Sequence, residues 1–260
     1  MENLRKYGKP PFNIAVVHGG PGAPGEMAPV ARELAQNRGV LEPLQTEETM
    51  HGQIDELKTV LEENAEFPVI LIGHSWGAML SYMLTAQEQS LVRKLILVDS
   101  GVFDDKYAAE IGKTRISRLS EEERPVLRSL SEMLDYQNSE EKNGMFAQVG
   151  KLVLKADSYD PFPDESEVIE YQYDIYESVW KEVTDLRSSG GLVALGKWIR
   201  CPVVAIHGDY DPHPPAGVRD PLSQVIKDFR FILLENCGHT PWIERQAKDR
   251  FYKILREESE

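Results

Sequence analysis

Six short apolar runs punctuate the chain: Asn13–Val17, Val40–Leu44, Pro68–Ile72, Lys94–Val98, Pro202–Ile206 and Arg230–Leu234. Several are unbroken, as in VILI, LILV and VVAI. A strand with one wet face alternates apolar and polar residues. An unbroken run instead fits a strand covered on both faces, as in a parallel sheet between two layers of helix. Helical periodicity fills the gaps, at Met27–Asn37, Gln53–Asn64, Trp76–Glu88, Gly217–Asp228 and Pro241–Glu257. The alternation predicts an open, doubly wound α/β sheet. Ligands of such sheets bind beyond the carboxyl ends of the strands.

One block breaks the alternation. Residues 103–190 carry no convincing strand run, only helical patterns at Glu121–Tyr136, Glu141–Asp157 and Ser166–Thr184. The block holds 20 acidic against 11 basic side chains, so most of the chain's formal charge of -14 sits there. It reads as a helical cap inserted between core segments 1–102 and 191–260, since loop-closure entropy grows slowly with insert length. The acidic balance argues against a nucleic-acid partner, which needs a basic surface. The opening MENLRKYGKPPFN lacks the apolar stretch of a secretory signal, and no run approaches a membrane span. These features suggest a cytoplasmic protein. Cys201 and Cys237 are expected at opposite ends of neighbouring strands, too far apart to bridge, and so to be free thiols.

Candidate chemistry concentrates at strand ends. ILIGHSWGAML contains G-x-S-x-G as Gly73-His74-Ser75-Trp76-Gly77, between a strand and a helix. A turn that tight has no room for side chains at 73 or 77, and it projects the Ser75 hydroxyl into the cleft. VVHGGPGAPG, Val16–Gly25, lacks the Lys-Ser/Thr ending of a phosphate loop. Its glycines suit close backbone approach to a reacting carbonyl, with the Gly20 and Trp76 amides as oxyanion donors and His18 as a structural hydrogen-bonder. NCGHTPW places His239 in a loop past the last strand, where it can act as general base toward Ser75. In IHGDYDPHPPAG, His207, Asp209, Asp211 and His213 alternate, a spacing that also suits metal ligands on one face of an extended segment. A strand-end histidine and turn aspartates account for the same pattern without a metal, and 209 and 211 share strand parity, so the residues alone do not choose between them.

Taken in order, HGGPG, GHSWG, GDYD and CGHTPW resemble the α/β-hydrolase fold over residues 13–257, and HGGPG resembles the proline iminopeptidase branch. The resemblance implies a cofactor-independent, metal-free serine hydrolase with a Ser75–His239–Asp211 triad, the G-x-x-D pattern favouring Asp211 and Asp99 being its rival. It further implies acyl-enzyme chemistry on a small-molecule or short-peptide substrate. Proline iminopeptidases hold a free α-amine with acidic cap residues; Glu165, Glu167, Glu170 and Asp174 are the candidates here. His74, before the nucleophile, is closer to the spelling of esterases and lipases, so a carboxylesterase, lipase or thioesterase is the alternative. A serine at 75 disfavours dehalogenase or epoxide hydrolase chemistry, a lyase of the same fold is a minor reading, and a ligand-sensing receptor is the non-enzymatic one. Trp76, Trp180 and Trp242 either line an apolar pocket or pack in the core, and His51 should be exposed. The family core opens with an antiparallel hairpin. Too few residues precede Asn13 for one, so about six parallel strands are expected.

Overall fold

The computed structural model describes residues 3–134, 139–163 and 167–260. Its elements run β1 Leu4–Tyr7, β2 Phe12–Val17, α1 Ala28–Leu34, β3 Gly39–Pro43, α2 Met50–Asn64, β4 Val69–His74, α3 Trp76–Gln87 and β5 Val92–Val98. Four longer helices follow, α4 Ala108–Arg118, α5 Glu123–Met133, α6 Ser139–Asp157 and α7 Tyr173–Ser188, with the single turn α8 Gly191–Ala194. The chain then returns to the sheet with β6 Val203–Gly208, α9 Ala216–Val225, β7 Phe229–Leu234 and α10 Lys248–Glu258.

The seven strands lie in the order β1-β3-β2-β4-β5-β6-β7. The six expected strands, β2 to β7, are all parallel. The seventh is an addition: β1 pairs antiparallel with β3 at the edge, Leu4 opposite Pro43 and Tyr7 opposite Val40. Its sequence, LRKY, is short and largely polar, which is why no strand pattern marks it.

Each central strand divides its side chains between two cores, because successive residues point to opposite faces. Leu71, Leu95, Leu97, Val203 and Ala205 pack with α2 and α3 on one side. Ile70, Ile72, Ile96, Val98, Val204 and Ile206 pack with α1 and α10 on the other. This two-sided burial is the physical source of the unbroken apolar runs. Helix α3 is buried along almost its whole length.

The expected helix over Pro241–Glu257 is broken in two. Pro241–Ile243 forms a 3₁₀ turn, and α10 starts at Lys248. Between them Glu244 is extended (φ -80°, ψ 118°). Its buried carboxylate accepts from the amides of Gly238 (3.0 Å), Tyr159 (2.8 Å) and Asp160 (2.8 Å), which holds the residue out of the helix. Helix α4 has no counterpart among the expected elements; it buries no side chain fully. The pattern read over Ser166–Thr184 starts its helix only at Tyr173, and Ser166 and Tyr136 fall outside the described residues. Among the described residues, no helix is long and apolar enough to cross a membrane.

The crossing of β4 into α3 has no slack. A Cβ on Gly77 would strike the carbonyl oxygens of Val17 and His18, and one on Gly73 would strike the Gly77 carbonyl. All of these are backbone atoms that no rotamer change can move. Gly77→Ala is therefore expected to destabilise the fold by about 2 kcal/mol or more, read as a lower urea midpoint at unchanged slope.

Candidate active site

Ser75 is the hinge between β4 and α3. Its φ of 51° and ψ of -113° lie outside the regions an L-residue prefers, and its amide donates to Val98 O at 3.0 Å. The strain aims the side chain away from the sheet. His239 comes from the loop after β7, where its amide donates to Asp157 O at 2.9 Å. Asp211 follows β6. These three side chains form a continuous chain: Ser75 Oγ lies 3.0 Å from His239 Nε2, and His239 Nδ1 lies 2.7 Å from Asp211 Oδ2. With Nδ1 facing a carboxylate it carries the proton, which leaves Nε2 free to accept from the serine hydroxyl.

The other residues of the IHGDYDPHPPAG segment fall into place around this chain. Asp209 Oδ1 accepts from the Cys237 amide at 3.2 Å and so braces the histidine loop. His207 is fully buried and donates through Nε2 to His213 O at 2.8 Å. His213, in the loop between β6 and α9, stacks on His239 with ring centroids 4.6 Å apart. Asp99 lies beside Asp211, with oxygens of the two within 4.8 Å of each other; its Oδ1 accepts from the Gly208 amide at 2.8 Å and lies 4.0 Å from His207 Nδ1.

Electrostatics separate the two aspartates. Burial would raise Asp211, but the charge of His239 and the hydrogen bond from His213 outweigh it and hold its carboxyl well below the usual range. Burial and the neighbouring Asp211 charge together push Asp99 well above that range. Two carboxyls this close do not both ionise, so Asp211 is the carboxylate and Asp99 the neutral acid. Burial lowers His239, yet the charge of Asp211 and the hydrogen bond to it leave the imidazole raised overall.

The loop after β2 runs along the other side of Ser75. Gly20 has φ +50°, a conformation that favours glycine. A Cβ on Gly19 would crowd Glu26, His74 and Ser75. His18 bridges this loop to the next strand, with Nδ1 2.7 Å from Gly19 O and Nε2 accepting from the Gln45 amide. Among the described residues, neither the Gly20 nor the Trp76 amide donates to a protein acceptor. Sequence reasoning missed Glu26. Its Oε2 accepts from the Gly19 amide (2.9 Å) and lies 3.2 Å from His74 Nδ1, while His74 Nε2 donates to His239 O at 2.8 Å. Burial would raise Glu26, but the charge of His74 and its hydrogen bond bring it down to about 2. One carboxylate thereby ties the glycine loop, the serine turn and the histidine loop together. Nothing in a lone glutamate beside a glycine-rich stretch signals this.

A cavity of about 500 Å³ opens over Ser75. Phe146, Val153 and Leu154 of α6, Tyr176 and Trp180 of α7, and Trp242 contribute much of its wall. Trp76 also borders it, and its indole N–H donates to Gln53 Oε1 at 2.8 Å. Of the four acidic residues considered for an amine, Glu165 lies outside the described residues. Glu167 is paired with Arg32, Glu170 is exposed, and Asp174 lies 3.7 Å from Lys142. Deeper in the cavity, Asp157 is gripped by Arg115 through Nε at 2.8 Å and Nη2 at 2.6 Å. Asp211, His213 and His239 offer three metal-ligand atoms within 4.8 Å, as do Asp99, His207 and Asp211. The closest of these atoms, those joining Asp211 to His213 and His239, already hydrogen-bond one another, so a cation would have to displace bonds of 2.7 Å. Cys201 and Cys237 are free thiols, and His51 is exposed, as expected.

A model of the Alpha/beta hydrolase family matches residues 14–253. This chain belongs to the alpha/beta hydrolase family. It is a hydrolase, and its sheet with one antiparallel edge strand is that family's fold. A comparison with curated proteins finds no match. Among solved structures, VinJ superposes with a TM-score of 0.66 at 19% identity, over 98% of this chain and 93% of that one. The proline iminopeptidase of Mycobacterium smegmatis superposes with 0.62 at 17% identity, over 98% and 92%. The monoacylglycerol lipase of Paleococcus ferrophilus superposes with 0.61 at 15% identity, over 99% and 98%. A peptidase and a lipase at equal distance mark a shared fold and leave the substrate to the site itself.

Proposed function

We propose that this hydrolase cleaves carboxylic esters through an acyl-enzyme, with Ser75 as nucleophile, His239 as general base and acid, and Asp211 as the triad acid. The observation that carries the reading is the continuous hydrogen-bonded chain from Ser75 Oγ through His239 to Asp211. His239 Nε2 takes the Ser75 proton as Oγ attacks the acyl carbon, and the Gly20 and Trp76 amides receive the oxyanion. The tetrahedral adduct expels the alcohol, which takes its proton from His239. A water, deprotonated by His239, then attacks the acyl carbon; the acid leaves and Ser75 Oγ regains its proton. Helices α4 to α7, within 103–190, act as the cap that selects the acyl group.

Esters are favoured over aminoacyl substrates for an electrostatic reason. A substrate ammonium needs an uncompensated carboxylate in the cavity. Asp157 is paired with Arg115 and Glu167 with Arg32, and Glu26 is engaged by the His74 ring and the Gly19 amide. The aromatic and aliphatic wall from α6 and α7 suits an acyl chain. The test is one panel: nitrophenyl esters of increasing acyl length beside proline and alanine arylamides. Ester turnover exceeding arylamide turnover by about 100-fold or more in kcat/KM is expected, equivalent to at least two factors of ten in transition-state binding. Activity confined to the arylamides would reverse the substrate assignment.

A further inference from the structure

His213 is only 6% exposed, yet it borders the cavity over Ser75. Its Nδ1 lies 2.7 Å from Asp211 Oδ1, and its own backbone amide donates to the same oxygen at 2.8 Å. Its carbonyl accepts from His207 Nε2, and its ring lies against the His239 ring at an interplanar angle of 29°. Prolines at 212, 214 and 215 restrict the backbone on both sides. One oxygen of Asp211 is thus occupied by two donors from a single stiffened residue, and the other faces His239 at 2.7 Å, with His207 Nε2 at 3.5 Å.

We infer that His213 is a positioning residue for the Asp211–His239 pair, fixing the rotation of the carboxylate through Nδ1–H and the plane of the base through its stack. The inference rests on the serine-hydrolase reading above. An aspartate's terminal torsion is intrinsically soft, so a carboxylate held only by the base it serves would swing. Two donors on Oδ1 stop that swing. Burial brings His213 down to about 4 against the pull of Asp211, so at neutral pH the ring donates without adding a cation beside His239. The other charged or titratable groups around the pair are Asp99 at the end of β5, His207 on β6, Arg115 on α4 and Asp157 at the end of α6. Glu244 beyond the histidine loop and the His74–Glu26 pair on the serine side complete the surroundings. None of these is altered by substituting 213, so a shift in the base can be assigned to the lost donor.

The experiment compares His213→Phe, which keeps a ring and loses the donor, with His213→Asn, which keeps an N–H donor and loses the ring, and with His213→Ala. Rates of ester hydrolysis and of Ser75 labelling by a fluorophosphonate are measured across pH. For His213→Phe, kcat is expected to fall about tenfold with KM within about twofold, the cost of one hydrogen bond to a charged group. The acid limb of its kcat/KM profile should move to higher pH, because Asp211 with fewer donors makes His239 more basic. His213→Asn should keep kcat within about threefold of wild type. If His213→Phe does not fold, the contrast of active Asn with impaired, limb-shifted Ala carries the same claim. Wild-type rates in His213→Phe, or a change in KM alone, would reduce His213 to packing and overturn the inference. An unlabelled wild type would remove the serine-hydrolase reading itself, and the inference with it; a labelled wild type with an equally labelled Phe variant removes the inference alone.

Discussion

Ser75→Ala is expected to lower ester turnover by about 10⁴-fold or more and to leave the folded state intact. The expectation follows from where the hydroxyl sits. Oγ is the only atom removed, and its interaction is the 3.0 Å contact with His239 Nε2. The backbone strain at φ 51° belongs equally to alanine, so stability should change little. Ser75→Gly, by contrast, relieves that strain and should raise stability by about 1 kcal/mol while being equally inactive. A residual rate above the uncatalysed one is expected in both, because the Gly20 and Trp76 amides and the apolar wall, which hold the ester in the proposed mechanism, are untouched. Steady-state kinetics and a thermal melt on the same preparations check all three statements. A Ser75→Ala variant with more than about a tenth of wild-type turnover would exclude Ser75 as nucleophile.

Asp211→Asn is expected to cost about 10³- to 10⁴-fold in kcat, and Asp99→Asn no more than about threefold. The difference comes from charge. Asp211 is ionised and receives Nδ1–H of His239; an amide in its place can present an N–H instead, favouring the tautomer whose Nε2 carries the proton and cannot accept from Ser75. Asp99 is already neutral, and an asparagine there still accepts from the Gly208 amide. The pH dependence has a definite sign. The base works when deprotonated, and His239 is raised above the ordinary histidine value of 6.5, so wild-type kcat/KM should rise with pH through a midpoint above that value. In Asp211→Asn the attraction that raises His239 is gone while burial remains. The midpoint should fall, with a far lower plateau. Profiles from about pH 5 to about pH 9 cover the titration. Equal losses at 99 and 211 would show that the acid had been misassigned.

Most of the sheet was legible because it is covered on both sides: VILI and LILV are apolar without interruption only when both faces are dry. The serine turn was legible for a steric reason, since Gly73 and Gly77 meet backbone atoms that exclude any side chain. Features governed by hydrogen bonding across the fold left no comparable trace. The break at Glu244 depends on amides at 159, 160 and 238, and helical periodicity alone carried straight through it. The tie from Glu26 to His74 spans 48 positions. His213 stands between prolines and reads as loop, and only the packing of β6 beside β7 brings its ring onto His239. Edge strand β1 and helix α4 carry no strong apolar pattern because neither buries a side chain fully.

The Glu244 knot gives the entrance to the cavity a fixed side. Its carboxylate fastens the turn after α6 to the histidine loop, and the His239 amide is fastened to Asp157 beside it. The segment ahead of α7 is fastened as well, the Ile169 amide donating to Pro24 O at 2.9 Å and the Gln172 amide to Gly22 O at 2.7 Å, so the helical block is tied to the glycine loop and to the histidine loop alike. Changes at either tie reach the loops that flank Ser75, whereas α5 contributes no residue to the cavity wall and its surface can be altered without touching them.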